Sequence, residues 1–229
     1  NLMIIKNKVI IICGAGGIFG KSITNYLVSK GAIVVAMDLY NISIYKEFLN
    51  LKKNKNFFYY KCDSTDEKKL ISIKKLVNKK FKKIDVLINL SSITDPVEGK
   101  KKLIKFENYK KKDFSEIVSK NLLSTFLPCK VFGTLMSSMK KGSIINFSST
   151  YGLVGPDQKI YNKKNKKFFI KNPAYPTSKG GIIAFTKYLA SYWGNKKVRV
   201  NCIVPGGVEN KQSKIFIKNY SSKTTLGRM

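Results

Sequence analysis

"VIIICGAGGIFG", Val9 to Gly20, decides the fold. A short, continuous apolar run closed by glycine fits a strand buried on both faces. Helical spacing follows at once, with Ile23, Leu27 and Val28 on one side of the stretch Gly20 to Ser29. Strand, glycine loop and helix in that order give the glycines a phosphate-binding meaning. Gly14 permits the tight turn, Gly17 lets backbone amides approach a pyrophosphate, and Gly20 allows close contact between helix and sheet. The amino terminus of the helix then favours the anion.

Outward from this unit the pattern repeats. "AIVVAMD", "FFYYKCD", "IDVLINLSS", "GSIINFSS" and "VRVNCIVPGG" read as further strands. Helical periodicity falls between them, over Glu67 to Lys80, Phe114 to Met139 and Gly180 to Trp193, with a kink expected at Pro128. Such alternation implies a parallel sheet with right-handed crossovers. The predicted architecture is α/β: a Rossmann-like, doubly wound parallel sheet with helices on both faces, formed by residues 1–229 as a single domain. "QKIYNKKNKKFFIKN", Gln158 to Asn172, interrupts the pattern and reads as a loop within an insert over about 156–173.

Composition narrows the chemistry. The 229 residues carry 44 Lys and Arg against 13 Asp and Glu, a formal charge of +31, and no histidine. An imidazole base is therefore excluded, and with it most hydrolase triads. Cys13, Cys62, Cys129 and Cys202 stand apart in apolar surroundings without metal-ligand spacing, so reduced core cysteines are expected and no metal site. Every basic residue except Arg199 and Arg228 is lysine, whereas nucleic-acid readers draw on arginine for bidentate contacts. The lysines are read as solvated surface rather than a nucleic-acid footprint. No apolar run is long enough to span a bilayer and no signal-peptide pattern opens the sequence, so a cytoplasmic location is expected.

Two acidic and basic features carry functional weight. Asp38 ends the second predicted strand at roughly the 20-residue separation expected of a carboxylate that binds adenosine ribose hydroxyls. A carboxylate there repels a 2′-phosphate and favours NAD over NADP, although the residue also suits a plain strand-to-loop cap. "PAYPTSK" sets Tyr175 four residues before Lys179, on one face of a helix. A nearby ammonium stabilises a phenolate, so the pair can act as general acid or base toward a carbonyl or hydroxyl.

The glycine loop, "INFSS", "YPTSKGG" and "RVNCIVPGGV", in this order, resemble the short-chain dehydrogenase/reductase family over essentially the whole chain. That resemblance implies an oxidoreductase moving a hydride between a nicotinamide and a carbonyl or hydroxyl substrate. It makes Tyr175 the catalytic acid/base and Lys179 the residue that lowers its pKa and binds the nicotinamide ribose. Ser149 matches the hydroxyl that orients the substrate, and Asn121 the helix asparagine that holds a relay water. Cofactor-binding positions would include Gly14, Gly17, Ile18, Gly20, Asp38, Asp63, Ser64, Asn89, Tyr175, Lys179 and Val208, with NAD favoured and NADP still open. The sequence departs from the family at Cys13, at Ile18, and at Leu90, Ser91 and Ser92 after Asn89.

The insert between Ser149 and Tyr175 is longer than the family's usual spacing. "YGLVGPDQKIY" followed by "NPAY" is similar to oxidoreductases of flagellin modification and nonulosonic-acid pathways, which implies a sugar or sugar-nucleotide substrate. Two alternatives stay open: a 3-ketoacyl-carrier-protein reductase, and a non-catalytic cofactor- or polyanion-binding protein on the same fold. The resemblance also implies a dimer or tetramer. The sequence stops at "LGRM", before the last helix and strand usual in the family, so a truncated chain is expected.

Overall fold

A computed structural model describes residues 5–93, 104–163, 166–167 and 170–229. Its elements run β1 (Val9–Cys13), α1 (Ile18–Ser29), β2 (Ile33–Asp38), α2 (Lys46–Leu49), β3 (Phe57–Lys61), α3 (Glu67–Phe81), β4 (Val86–Asn89), α4 (Lys111–Ser138), β5 (Gly142–Phe147), β6 (Asn162–Lys163), β7 (Lys166–Lys167), α5 (Ala174–Trp193), β8 (Val198–Ile203) and α6 (Lys214–Ser221). Six strands form one sheet in the order β3-β2-β1-β4-β5-β8, every pair parallel.

Alternation along β1 explains why the sheet is covered on both sides. Val9, Ile11 and Cys13 enter one core with Leu70, Ile73 and Val77 of α3, Phe132 and Met136 of α4, and Leu189 and Trp193 of α5. Ile10 and Ile12 point the other way, into a core with Leu27 and Val28 of α1 and Phe48 of α2. All five β1 residues are buried, which is why the strand reads as an unbroken apolar run.

Several boundaries differ from expectation. The first helix begins at Ile18 and the helix bearing the tyrosine at Ala174, earlier than the apolar period showed. Tyr175 and Pro176 thus lie in the first turn of α5, where a missing proline N–H leaves no bond unmade. Pro128 sits buried inside a helix that continues through it from Lys111 to Ser138. The insert, expected as a loop, carries a 3₁₀ turn at Gln158–Tyr161 and the short antiparallel pair β6–β7. Among the described residues no helix is long and apolar enough to cross a membrane, and no group of three metal-ligating side chains occurs. All four cysteines are free thiols.

Candidate active site

The order of the strands reverses between β1 and β4, the position at which open α/β sheets bind ligands beyond the carboxyl ends of their strands. Register puts the ends level, since Cys13 pairs with both Met37 of β2 and Asn89 of β4. A cleft of about 520 Å³ opens there, lined by Gly14, Gly16, Gly17, Asp38, Asp63, Ser64 and Leu90 among others. A second depression of about 340 Å³ contains Ile18, Ser149, Tyr175, Lys179 and Val208, and shares Leu90 and Ser92 with the first.

The glycines of the loop have separable reasons. Gly14 has φ of +78°, and a Cβ there would lie 2.6 Å from the Ser91 amide nitrogen. Gly20 faces the carbonyl oxygens of Gly14 and Ala15 too closely for any side chain. Gly17 is different: a Cβ would meet only the Gly14 carbonyl at 3.5 Å, so nothing within the chain requires glycine. Gly17 is the N-cap of α1, makes no side-chain cap, and precedes a first turn without acidic residues. Its bareness, with the unengaged helix terminus, fits a pyrophosphate approaching the backbone.

At the far end of the first cleft, Asp38 Oδ2 accepts from the Gly16 amide at 2.8 Å and Oδ1 accepts from the Tyr45 hydroxyl at 2.6 Å. Tyr45 also covers Gly16 so closely that a side chain there would run into its ring. Burial, then the Asp38 carboxylate, pushes the Tyr45 phenol well above its ordinary value, so it remains a donor. Two hydrogen bonds leave the carboxylate with acceptor capacity for further hydroxyls. Asp63 lines the same cleft while its Oδ1 accepts from the Thr65 amide and hydroxyl, each at 2.8 Å, and Ser64 Oγ meets Ser91 Oγ at 2.8 Å.

In the second depression, Ser149 follows β5 and accepts from the Tyr151 amide at 3.2 Å. The Tyr175 amide donates to Asn172 Oδ1 at 2.9 Å, which anchors the first turn of α5. Lys179, 3% exposed, donates to the Phe147 carbonyl at 3.1 Å and stands 5.7 Å from the Tyr175 ring centroid. Burial pulls the Lys179 ammonium down to about 8, leaving it charged at neutral pH. Burial raises the Tyr175 phenol, and the Ser149 hydroxyl acts against that rise. The group is therefore a protonated phenol at neutral pH, held between a hydroxyl and an ammonium.

Asn121 and Asn89 lie outside both linings. Asn121 is fully buried; its Oδ1 accepts from the Ile93 amide at 2.7 Å and its Nδ2 donates to Ser178 Oγ at 2.9 Å, tying the segment after β4 to α5. Asn89 Nδ2 donates to Asn146 Oδ1 at 2.9 Å across the sheet. The structure thus gathers Gly14, Gly17, Asp38, Asp63, Ser64, Ile18, Ser149, Tyr175, Lys179 and Val208 along the two depressions, and sets Gly20, Asn89 and Asn121 behind them.

Sequence reasoning passed over Tyr45, Gly16, Asn172 and Lys171, and noted Ser91 only as a departure from the family pattern. Asn172 had a local signal, an Asn-Pro pair opening a helix. Tyr45 had none, because only the turn after β2 folds it back onto Asp38.

The fold and the paired depressions define the class, a Rossmann-type nucleotide-binding protein. The chain matches the short chain dehydrogenase family over residues 8–219 and belongs to that family. It is an oxidoreductase of the kind that acts on CH–OH groups. A solved short chain dehydrogenase from Leptospira borgpetersenii with bound NAD+ is 34% identical, with a TM-score of 0.83 over 98% of this chain and 80% of that one. D-threitol dehydrogenase of Mycolicibacterium smegmatis is 28% identical over 88% of this chain and 70% of its own length. Post-translational flagellin modification protein A of Campylobacter coli is 26% identical over 94% and 83%. Likeness to an NAD+-bound structure, with the residues described, supports binding of a nicotinamide cofactor.

Proposed function

We propose that this protein is an NAD-dependent dehydrogenase or reductase of a polar, sugar-like substrate, with Tyr175 moving the proton. The observation that carries the reading is the side-by-side placement of Ser149, Tyr175 and Lys179 in a depression continuous with the glycine-loop cleft. When bound, the nicotinamide accepts or supplies the hydride. The amino terminus of α1, just beyond the bare Gly17, would hold the pyrophosphate, and Asp38 the adenosine ribose. Lys179 would face the other ribose, and Val208 the carboxamide.

Ser149 positions the substrate oxygen beside the phenol. In reduction Tyr175 donates its proton to that oxygen; in oxidation it takes the proton back, and the Lys179 charge stabilises the phenolate. Asn121 holds the segment after β4 against α5 and so keeps the two walls in register. Asp38 supports NAD over NADP, because a 2′-phosphate would meet its carboxylate.

Likeness to a threitol dehydrogenase and to a flagellin modification protein supports a sugar, polyol or sugar-nucleotide substrate. We place the enzyme in the cytoplasm, with reduced cysteines. Self-association has a suitable surface on α4 and α5, where Phe126, Tyr188 and Tyr192 are exposed.

The test is NAD-linked oxidation of a panel of polyols, sugars and sugar nucleotides. The reading expects turnover of at least one of them by the wild type, and loss of that turnover by a factor of roughly 10² or more in Tyr175→Phe with NADH binding retained. Equal turnover by the variant overturns it.

A further inference from the structure

The depression that holds Ser149, Tyr175 and Lys179 has an aromatic wall, supplied by segments outside the glycine-loop, serine and tyrosine motifs. Tyr161 comes from the insert, Phe216 and Tyr220 come from α6, and all three line the depression. Their rings run on from one another: Phe216 lies 5.5 Å from Tyr161 at an interplanar angle of 31°, and 6.0 Å from Tyr220 at 37°.

This wall is fixed at both ends. The Gly207 amide donates to the Tyr220 hydroxyl at 2.6 Å, and Asn219 Nδ2 donates to the Ile160 carbonyl at 3.2 Å. α6 is thereby tied to the segment after β8 and to the turn that carries Tyr161. Within the insert the Lys171 amide donates to Gln158 Oε1 at 2.9 Å, which clamps its two ends together beside the Tyr175 ring, whose centroid is 4.2 Å from the Lys171 ammonium. The rings are set in place before a substrate arrives.

The wall is also uncharged. Tyr161 and Tyr151 share a hydrogen bond between hydroxyls 3.1 Å apart, and burial pushes both phenols above their ordinary value, so both stay protonated at neutral pH. What it offers a substrate is chiefly ring surface. The reacting end, by contrast, holds Ser149, the Tyr175 hydroxyl and Lys179.

That division suits a particular shape. A saturated ring gathers C–H bonds on a face that can lie flat on an aromatic plane, and turns its hydroxyls outward at the edge. An open-chain polyol carries a hydroxyl on every carbon, so some would lose water against the rings without gaining a partner, and its rotors must be frozen on binding.

We propose that Tyr161, Phe216 and Tyr220 form a specificity wall, and that the carbinol carbon reacting at Tyr175 belongs to a six-membered saturated ring, a pyranose or a carbocycle, whose C–H face lies against Phe216. The inference rests on the oxidoreductase reading above and deepens it from a sugar-like substrate to a cyclic one.

The experiment is calorimetric titration of the full chain, with NAD+ present, using ring and open-chain partners of equal carbon number. The pairs are D-glucose with D-glucitol, D-galactose with galactitol, L-fucose with L-fucitol, and cis-1,2-cyclohexanediol with meso-3,4-hexanediol. At least one ring compound is expected to bind roughly tenfold or more tightly than its partner, and whether it is a sugar or the diol separates pyranose from carbocycle. Phe216→Leu keeps an apolar side chain but removes the ring, so that ratio should fall toward one, while Phe216→Tyr should retain most of it. Failure of every ring compound to bind more tightly than its open-chain partner overturns the assignment, whatever the variants do. So does an unchanged ratio in Phe216→Leu, which would leave Phe216 with only a packing role against Tyr161. NADH binding, titrated separately in wild type and variants, tests the oxidoreductase reading on its own, so the two failures are distinguishable.

Discussion

The Tyr45 hydroxyl donates to Asp38 Oδ1 at 2.6 Å, while the other oxygen of that carboxylate is held by the Gly16 amide. A tyrosine from the turn after β2 therefore sets the orientation of the group on which cofactor choice is argued. Tyr45→Phe keeps the ring over Gly16 and removes only the donor. NADH affinity should fall about three- to tenfold, in line with one hydrogen bond to a charged acceptor. Fluorescence titration reads this directly; unchanged affinity would show that Gly16 alone orients Asp38.

Glycines of the loop should separate under substitution. A methyl at Gly20 meets two backbone carbonyl groups that cannot yield, so Gly20→Ala should cost about 1–3 kcal/mol in denaturant unfolding. Gly17 has room for a methyl within the chain, and Gly17→Ala should unfold within about 0.5 kcal/mol of the wild type. The same substitution should weaken NADH binding tenfold or more, because the methyl stands where the pyrophosphate approaches. Comparable stability losses in the two variants would contradict this division.

Lys179 links pH to stability. Burial holds its folded-state value near 8 against an ordinary 10.5. Between those values the unfolded chain binds a proton that the folded chain lacks, so this group's contribution to stability rises with pH across the window. Its penalty is fully present below pH 8 and amounts to at most about 3 kcal/mol. Lys179→Met has no such penalty. Its stability advantage relative to wild type should be largest near pH 7 and shrink by up to that amount toward pH 10, measured by urea melts without cofactor. A difference independent of pH would refute the assignment.

What the sequence disclosed, and what it withheld, has a physical pattern. β1 was plain because both of its faces are buried, and the succession of strands and helices along the chain followed from alternation of short apolar runs with helical spacing. Tyr175 and Lys179 stood out because a spacing of four makes neighbours on a helix and because the family motif falls on them, although the apolar period itself began only at Gly180. The start of α5 was less plain, since its first turn is capped by Asn172 and carries Pro176 rather than an apolar stripe. Tyr45 against Asp38 and Lys171 against Tyr175 are contacts made by irregular segments, which no periodicity encodes. The tight turn behind one, and the Gln158 clamp behind the other, exist only once the chain has folded.

The most direct test of the account is titration of the purified protein with NADH and, separately, NADPH, followed by nicotinamide fluorescence. Saturable NADH binding with NADPH at least tenfold weaker is the predicted result, and Asp38→Ala should erase most of that difference. Failure of both nucleotides to bind, or tighter binding of NADPH, would contradict the reading of the glycine loop and Asp38 as an NAD site.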